Sequence, residues 1–266
     1  MDAFFIPEDA EEQLEERGFF VARNLIGDQA IEAVKNEIER AIAGEVKWFP
    51  PDRRRADNAD LDGGEGVRAV GDPFGCRNRV LWEEWLTAEN VVSVMRRFVG
   101  ENVRVMGSRF FTKPARLGEA TPWHQDIWIW ERDPSLGTRE YMQRHLSIWI
   151  ALEAVDLENG CLHVMPGSHK GEVIDHIRYE DSVTPEIPRE LVAEKTPEPV
   201  PLGSGDGVAW HSHMWHMSPP NPSDRTRWGG VMIAFPDEVS EGADHADRWF
   251  MIRNGEACPF PGPNRK

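Results

Sequence analysis

The sequence predicts a mainly β fold, a sandwich or barrel of short strands buttressed by helices near the N-terminus. Helical periodicity is confined to the first hundred residues, and short β-rich runs separated by turn-like segments follow from residue 102. Helices first and many short strands afterwards are typical of such a fold. The 266-residue chain has no internal repeat and no low-complexity tract. We therefore expect one domain (1–266), with a helical buttress (1–100), a β core (101–240) and a C-terminal extension (241–266).

The first predicted elements are a short helix, a strand and a longer helix. Residues 8–17 are predicted to form a polar helix that stops at Gly18, and FFVARNLI then predicts a strand. The longer helix is predicted from Asp28, as N-cap, to Gly44, as C-cap. Its apolar residues recur at helical spacing and predict the buried face: Ile31, Val34, Ile38 and Ile42.

A loop and a further helix complete the helical part. Residues 48–66 are charged and carry proline and glycine without periodicity, which predicts a loop. The helix is predicted from Thr87, as cap, to Gly100. Its expected buried residues are Val91, Val94, Met95 and Phe98.

Six runs predict the strands of the β core: NVRVMGSRFFTK, WHQDIWIW, HLSIWIALEAV, CLHVM, GVAWH and WGGVMIAF. The turn-like segments between them are LENG, MPGSHKG, GSGD and PPNPSD.

Charge and composition narrow the class of partner. A formal net charge of −16 argues against nucleic acid and anionic membranes, since both require a basic surface. Three scattered cysteines form neither a disulfide framework nor a CxxC metal site. The N-terminus turns acidic at once, unlike a signal peptide, and no apolar stretch approaches the roughly 18 residues that span a membrane. We expect a cytoplasmic monomer or homodimer that acts on a small molecule.

The run WHQDIWIW places a histidine and an aspartate two residues apart. On a regular strand His124, Asp126, Trp128 and Trp130 would share one face, and Gln125 would point the other way. A carboxylate walled by indoles is costly without a counter-charge or a metal. An edge strand with this face in water is the alternative, and an isolated HxD does not decide between the two.

The segment GVAWHSHMWHMSPPNPSDRTRW supplies candidates for further metal ligands. His211 and His213 would share a strand face and could form a zinc site of their own, whereas His216 lies at the end of the strand. Two histidines and one carboxylate bind one face of iron(II) and leave three positions open. The absence of thiolates counts against a structural zinc site.

The open positions suit a bidentate 2-oxo acid, whose far carboxylate needs a permanently charged partner. Arg227, eleven residues after His216, suits this role because its planar fork matches a carboxylate. Arg225 is a nearby competitor that ordinary turn chemistry also explains. Ser218 could add a hydroxyl donor to the same carboxylate.

Taken together, these motifs resemble the phytanoyl-CoA dioxygenase family of iron(II)/2-oxoglutarate oxygenases, which includes ectoine hydroxylase. The resemblance rests on SRFFTKP, WHQD, IWIALEAVDLENGCLHVMPGSHKG and GDGVAWHSHMWHMSPPNPSDRTR, through most of 108–227. It implies a double-stranded β-helix (jelly-roll, cupin-like) core. It also implies Fe(II) as cofactor, with 2-oxoglutarate and O2 as cosubstrates.

The same resemblance assigns roles by position. His124, Asp126 and His216 resemble the iron ligands, and Arg227 with Ser218 the partners of the 2-oxoglutarate carboxylate. Trp149 falls where the family places a tryptophan near the cosubstrate. Gln125 and Arg109 also fall on positions tied to cosubstrate or substrate, although strand alternation turns Gln125 away from the metal.

The implied reaction couples decarboxylation of 2-oxoglutarate to succinate and CO2 with oxidation of a C–H bond. Asp126 favours hydroxylation, because related halogenases carry a small residue in place of the carboxylate. Desaturation, epoxidation and cyclisation stay open as outcomes. Trp128 and Trp130 are predicted to line the substrate pocket. A zinc hydrolase or isomerase, or a non-catalytic binding barrel, stays open as an alternative, as does a lid at 48–66 or 131–144.

Overall fold

In the computed structural model, the described residues are 3–49, 68–72, 78–130, 144–182, 184–237 and 249–261. The side chains of Asp72, Ile129 and Trp130 also lie outside the description. Most of the predicted loop at 48–66 and nearly all of the predicted lid at 131–144 therefore lie outside the described residues.

The helices are concentrated in the first hundred residues, as the sequence predicts. They are α1 (Ala10–Arg17), α2 (Asp28–Ile42), α3 (Arg79–Leu81), which runs into a π-helical turn (Trp82–Leu86), and α4 (Glu89–Phe98). Two five-residue helices follow within the β region: α5 (Asp126–Trp130) and α6 (Arg189–Ala193). No helix in the described ranges is both long enough and apolar enough to cross a bilayer.

Twelve strands are described: β1 (Phe19–Ala22), β2 (Ala69–Asp72), β3 (Val103–Lys113), β4 (Thr121–His124), β5 (Leu146–Ala151), β6 (Leu162–Val164), β7 (Glu198–Val200), β8 (Gly207–His211), β9 (His216–Ser218), β10 (Arg227–Pro236), β11 (Phe250–Arg253) and β12 (Glu256–Ala257).

Two antiparallel sheets are formed by these strands. The larger sheet has the order β1-β8-β5-β10-β3-β11-β12, with β2 paired to β3. The smaller sheet has the order β4-β9-β6-β7. Together they form the double-stranded β-helix that the resemblance implies.

Alternation along β5 separates two hydrophobic layers. Ile148 and Ile150 belong to the large cluster that the N-terminal helices pack against, whereas Trp149 and Ala151 belong to a cluster that includes residues of both sheets. The helices thus cover the outer face of the larger sheet, and the inner face is left for the space between the sheets. The helices therefore pack where the sequence places a buttress, whose extent over residues 1–100 stays a prediction.

The predicted helix ends are partly right. α1 ends as expected at Gly18, which takes the left-handed conformation (φ 85°) that glycine accommodates best. α2 begins at Asp28, but its N-cap is Gly27. Thr87 is not the cap of α4, a position that belongs to Ala88; instead its hydroxyl donates to Trp82 O and closes the π-helical turn (2.8 Å).

The motif PGSHKG ties α1 to the strand that carries His216. The backbone N–H of Gly167 donates to Arg17 O (2.9 Å), at the last residue of α1. The hydroxyl of Ser168 accepts a hydrogen bond from the backbone N–H of Trp215 (2.9 Å). This part of the motif is therefore explained by its contacts within the fold.

Candidate metal centre and adjoining cavity

The strand that contains His124 ends at that residue. β4 stops at His124 and α5 starts at Asp126, so the prediction of one strand through WHQDIWIW is wrong. The chain turns at Gln125, whose backbone N–H donates to His176 Nε2 (3.0 Å). His124 and Asp126 reach the same cavity because of this turn, and not because of strand alternation.

The third candidate ligand lies on the neighbouring strand. His216 begins β9 and is the cross-strand partner of His124, so their imidazole rings lie 4.0 Å apart between centroids. Directly opposed residues of antiparallel strands bring their side chains together. The pairing of β4 with β9 therefore brings together two histidines that are 92 positions apart in the sequence.

The donor atoms of these three residues converge. Asp126 Oδ1 lies 3.9 Å from His124 Nε2 and 3.7 Å from His216 Nε2. Ligands bind a first-row metal ion at about 2.0–2.2 Å, so two donors on one ion can be at most about 4.4 Å apart. Both of these separations therefore fit a single ion.

Backbone carbonyls orient both imidazole rings. His124 Nδ1 donates to Pro122 O (2.8 Å) and His216 Nδ1 to Met214 O (3.0 Å). A carbonyl oxygen only accepts, so the proton lies on Nδ1 and the lone pair of Nε2 is free for a metal. Burial, followed by the charge of His216, lowers the pKa of His124 to about 3, which keeps this ring neutral at pH 7.

A cavity adjoins the triad and contains about 800 Å³ of empty space, including its open mouth. Arg227, at the start of β10, lines the same cavity as the triad and is 3% exposed. Its guanidinium lies 4.6 Å from the ring centroid of Trp149. Its Nε has no hydrogen-bond partner, and burial lowers its pKa to about 10. An anionic ligand in the cavity would offset the cost of burying this charge.

Ser218 and Trp149 also line this cavity, and their roles toward the cosubstrate stay predictions. Trp149 passes over Gly229: a Cβ on that glycine would lie 2.0 Å from Trp149 Cζ2. The glycine at the start of β10 therefore makes room for the indole beside Arg227.

The turn before Arg227 is held by Asn221, which is 1% exposed. Its Nδ2 donates to Lys113 O (2.9 Å) and Arg225 O (2.7 Å), while its Oδ1 accepts from Ser223. Arg225 points outward to Asp156 (2.7 Å), whereas Arg227 lines the cavity, as does Arg68.

Lys113 is another basic residue that lines the cavity, and sequence reasoning missed it. Its Nζ donates to three backbone carbonyls, those of Glu119 (2.7 Å), Ser218 (3.1 Å) and Pro219 (2.5 Å). Burial, followed by the charges of Arg227 and Arg68, lowers the pKa of Lys113 to about 6. Its position as the penultimate residue of SRFFTKP carries no signal of this cage, which depends on strands distant in sequence.

Gln125 is placed away from the cavity. Its Nε2 donates to His213 O (3.0 Å) and Glu172 O (3.3 Å), and its Oε1 accepts from the N–H of Ile174 (2.8 Å). The structure therefore corrects the expectation that Gln125 contacts the cosubstrate, since its amide is committed to backbone groups. Gln125 thus points away from the cavity, as strand alternation also implied, although the strand itself ends at His124.

Three further residues are predicted from the sequence to contact the cosubstrate or the substrate: Arg109, Trp128 and Trp130. Arg109 lies on the same face of β3 as Phe111 and Lys113, both of which line the cavity, and its role stays a prediction. Trp128 stacks on His176 (4.2 Å between centroids) and is not part of the described cavity lining, so its substrate contact is not supported. The side chain of Trp130 lies outside the described residues.

His211 and His213 do not join a metal site in the described ranges, where the one group of three metal-binding side chains is His124, Asp126 and His216. β8 ends at His211, so the expected shared strand face with His213 is wrong. Their rings pack edge to face at 5.2 Å. This removes the ligand set on which the zinc alternative depends.

Fold and site together define a class: a cupin-like double-stranded β-helix with a two-histidine, one-carboxylate metal centre at one end. The donor set contains no thiolate and suits iron(II) with open coordination positions. The buried guanidinium of Arg227, which lines the same cavity and has an unpartnered Nε, suits an anionic cosubstrate.

Comparison with known proteins agrees with this class. A family model described as Phytanoyl-CoA dioxygenase (PhyH) matches residues 14–229, and the chain belongs to this family. The peroxisomal phytanoyl-CoA dioxygenase of Rattus norvegicus is 30% identical over 226 residues, 77% of this chain and 61% of the relative. That of Homo sapiens is 26% identical over 225 residues, 80% and 63% respectively. The chain thus spans less than two thirds of the length of these relatives.

Solved structures show the same fold. EctD from S. alaskensis, with 2-oxoglutarate and 5-hydroxyectoine, is 18% identical with a TM-score of 0.68, over 97% of this chain and 87% of that one. The non-heme alpha ketoglutarate dependent carbocyclase SnoK from nogalamycin biosynthesis is 20% identical with a TM-score of 0.63, over 87% and 84%.

Proposed function

We propose that this protein is a non-haem iron(II)- and 2-oxoglutarate-dependent dioxygenase that hydroxylates an unactivated C–H bond of a small molecule, with release of succinate and CO2. One observation carries the proposal: the triad of His124, Asp126 and His216 lines one cavity with the buried guanidinium of Arg227, whose Nε has no hydrogen-bond partner. A metal site alone is compatible with many reactions. The buried guanidinium of Arg227 in the same cavity favours a chelating anion as the cosubstrate.

Each residue of the cavity has a distinct task in this proposal. The triad holds the iron, and Arg227 with Ser218 binds the far carboxylate of 2-oxoglutarate. Trp149 provides a flat wall against the guanidinium. Phe111, Leu162 and Val231 keep water from the inner part of the cavity. When bound, iron with 2-oxoglutarate and dioxygen supplies the oxidant for the C–H bond.

One relative supports the choice of cosubstrate, and two solved structures of similar fold show that the outcome of the reaction varies. A Stutzerimonas stutzeri protein named as a probable alpha-ketoglutarate-dependent hypophosphite dioxygenase is 36% identical over 93 residues, 35% of this chain and 29% of its own length. Structures of similar fold are titled as a carbocyclase and an epimerase, so the fold serves several outcomes. The carboxylate of Asp126 occupies the position that a halide would need, which favours hydroxylation here.

The partners follow from charge and cavity size. We expect a small organic substrate and no nucleic acid, given the net charge of −16. We expect the protein to act in the cytoplasm as a monomer or homodimer, under the reduced conditions that its three cysteines suit.

The test is anaerobic addition of 2-oxoglutarate to the iron(II)-loaded protein, with the visible charge-transfer band of a chelated 2-oxo acid as readout. We expect the band in wild type and in His213→Ala, whose imidazole lies outside the triad. We expect its loss in His216→Ala, because a ligand is removed.

Wild-type protein that is folded and iron-loaded but shows no band would overturn the proposal. That result would favour the alternatives that the protein is a hydrolase or a non-catalytic binding barrel. A band that disappears with His213→Ala and persists with His216→Ala would reject the ligand assignment.

A further inference from the structure

Asp126 presents only one of its two oxygens to the other ligands of the triad. Oδ1 faces His124 Nε2 and His216 Nε2. Oδ2 accepts two hydrogen bonds, from the hydroxyl of Ser147 (2.8 Å) and from the indole Nε1–H of Trp210 (3.1 Å). We call Ser147 and Trp210 the carboxylate clamp.

The clamp is built by the larger sheet. Ser147 on β5 and Trp210 on β8 are directly opposed in the strand register, so both point to the inner face of the sheet. Both are buried, at 0% and 2% exposure, and the ring of Trp210 also lies 4.8 Å from that of His216. One cross-strand pair of the larger sheet therefore fixes a carboxylate that follows β4 of the smaller sheet.

Two donors saturate the oxygen that they contact. A carboxylate oxygen has two lone-pair directions, and both directions of Oδ2 are occupied by buried donors. Rotating Asp126 so that both oxygens face a bound metal would break these two bonds and leave a buried O–H and N–H unsatisfied, which is costly because neither group would find another partner. The carboxylate is thus held in a one-oxygen binding mode.

This mode matters because coordination positions are limited. Two imidazoles and one carboxylate oxygen leave three of six positions open, and a bidentate 2-oxo acid takes two of them. A carboxylate that binds through both oxygens would occupy one of the three. We propose that Ser147 and Trp210 are positioning residues that keep Asp126 monodentate and so preserve the positions for the 2-oxo acid and dioxygen. The inference rests on the proposed function.

The experiment uses Co(II) as the probe metal and compares Trp210→Phe, Ser147→Ala and the double variant with wild type. Each change removes a donor while keeping most of the side-chain volume. The readouts are the Co(II) ligand-field absorption spectrum at saturating metal and the affinity of the Co(II)-loaded protein for 2-oxoglutarate. Trp215→Phe is the matched control, because Trp215 is also buried but its Nε1 has no hydrogen-bond partner.

We expect an altered Co(II) spectrum in the double variant and 2-oxoglutarate binding weakened about 10-fold or more, the range typical of outer partners of metal ligands. Trp215→Phe should keep the wild-type spectrum and affinity. If Trp210→Phe does not fold, Ser147→Ala alone carries the test, and Ser147→Thr, which restores the hydroxyl, should restore the spectrum.

A wild-type spectrum together with 2-oxoglutarate affinity within about twofold of wild type, in folded clamp variants, would overturn the inference and leave the proposed function intact. Failure of wild type itself to bind Co(II) and 2-oxoglutarate would overturn the proposed function, and the inference with it.

Discussion

At the scale of single residues, Arg227 shows how a binding site can oppose stability. The described part of the chain provides no carboxylate ion-pair partner for it, and its Nε is unsatisfied. Burying a charge costs several kcal/mol when nothing compensates for it. The contact with Trp149 and the anion that we propose are the compensating interactions. Arg227 is therefore best explained as a binding residue and not as a stabilising one.

We predict that Arg227→Met leaves the metal-free protein as stable as wild type, or more stable by about 1 kcal/mol or more, because a buried charge is replaced by an apolar chain of similar length. The same variant should bind 2-oxoglutarate more weakly by about 30-fold or more, since a buried charge-assisted pair contributes at least about 2 kcal/mol. Urea unfolding and calorimetric titration measure the two effects.

Arg227→Lys is the control, with the charge kept and the planar fork lost, and intermediate affinity is expected. A loss of more than about 2 kcal/mol of unfolding free energy in Arg227→Met would identify Arg227 as a structural residue instead.

At the scale of elements, the first part of β10 shows how one strand serves two layers. Gly229 faces the space between the sheets, where an added Cβ would meet Trp149 (2.0 Å). Gly230 faces the helices, where an added Cβ would meet Phe110 (2.6 Å) and Trp85 (2.7 Å). Two neighbouring glycines thus admit large rings on opposite faces of the sheet.

We predict that Gly229→Ala and Gly230→Ala each destabilise the fold by about 1–3 kcal/mol through overpacking. Only Gly229→Ala should also weaken 2-oxoglutarate binding, because it displaces Trp149 from Arg227, whereas the effect of Gly230→Ala lies on the helix side. Thermal unfolding and calorimetric titration of the two variants separate the effects. Equal loss of affinity in both would mean that the strand transmits strain to the cavity and that the two layers are not independent.

At the scale of the whole molecule, burial between the layers leaves several histidines uncharged. Burial lowers the pKa of His124 to about 3 and that of His211 to about 4, with further lowering from neighbouring histidines. In the unfolded chain both titrate near 6.5. The unfolded state therefore binds more protons than the folded state below this pH.

Lowering the pH destabilises the folded state through these two histidines, His124 and His211. The stability contributed by each of these histidines is present above about pH 6.5 and is lost as the pH falls toward the folded-state pKa. We predict that the metal-free protein loses about 2 kcal/mol of unfolding free energy per such histidine between pH 7 and pH 5. Chemical denaturation over this window measures it, before most carboxylates begin to titrate.

His211→Gln should reduce this loss, because it removes one titrating group outside the metal centre. Unfolding free energies that stay constant from pH 7 to pH 5 in the metal-free wild type would show that these imidazoles are hydrated and charged in the folded state.

The sequence by itself determined the chemistry of the centre and the class of fold. Periodicity separated the helical part from the β part, and the resemblance of the motifs around HxD, His216 and Arg227 to a known family implied two imidazoles, one carboxylate and one guanidinium for one site. These features depend on residue identity and order along the chain, which local patterns report.

Only the tertiary structure decided how those groups meet. It replaced an expected strand by a turn at Gln125, left His213 out of the group formed by the three candidate metal ligands and placed Lys113 in a cage of three carbonyls. It also brought Ser147 and Trp210 onto the outer oxygen of Asp126. Each of these contacts joins residues that are distant in sequence, and their distances depend on strand register and on sheet packing. No local pattern encodes either quantity, and for that physical reason the ligands were predictable whereas their supports were not.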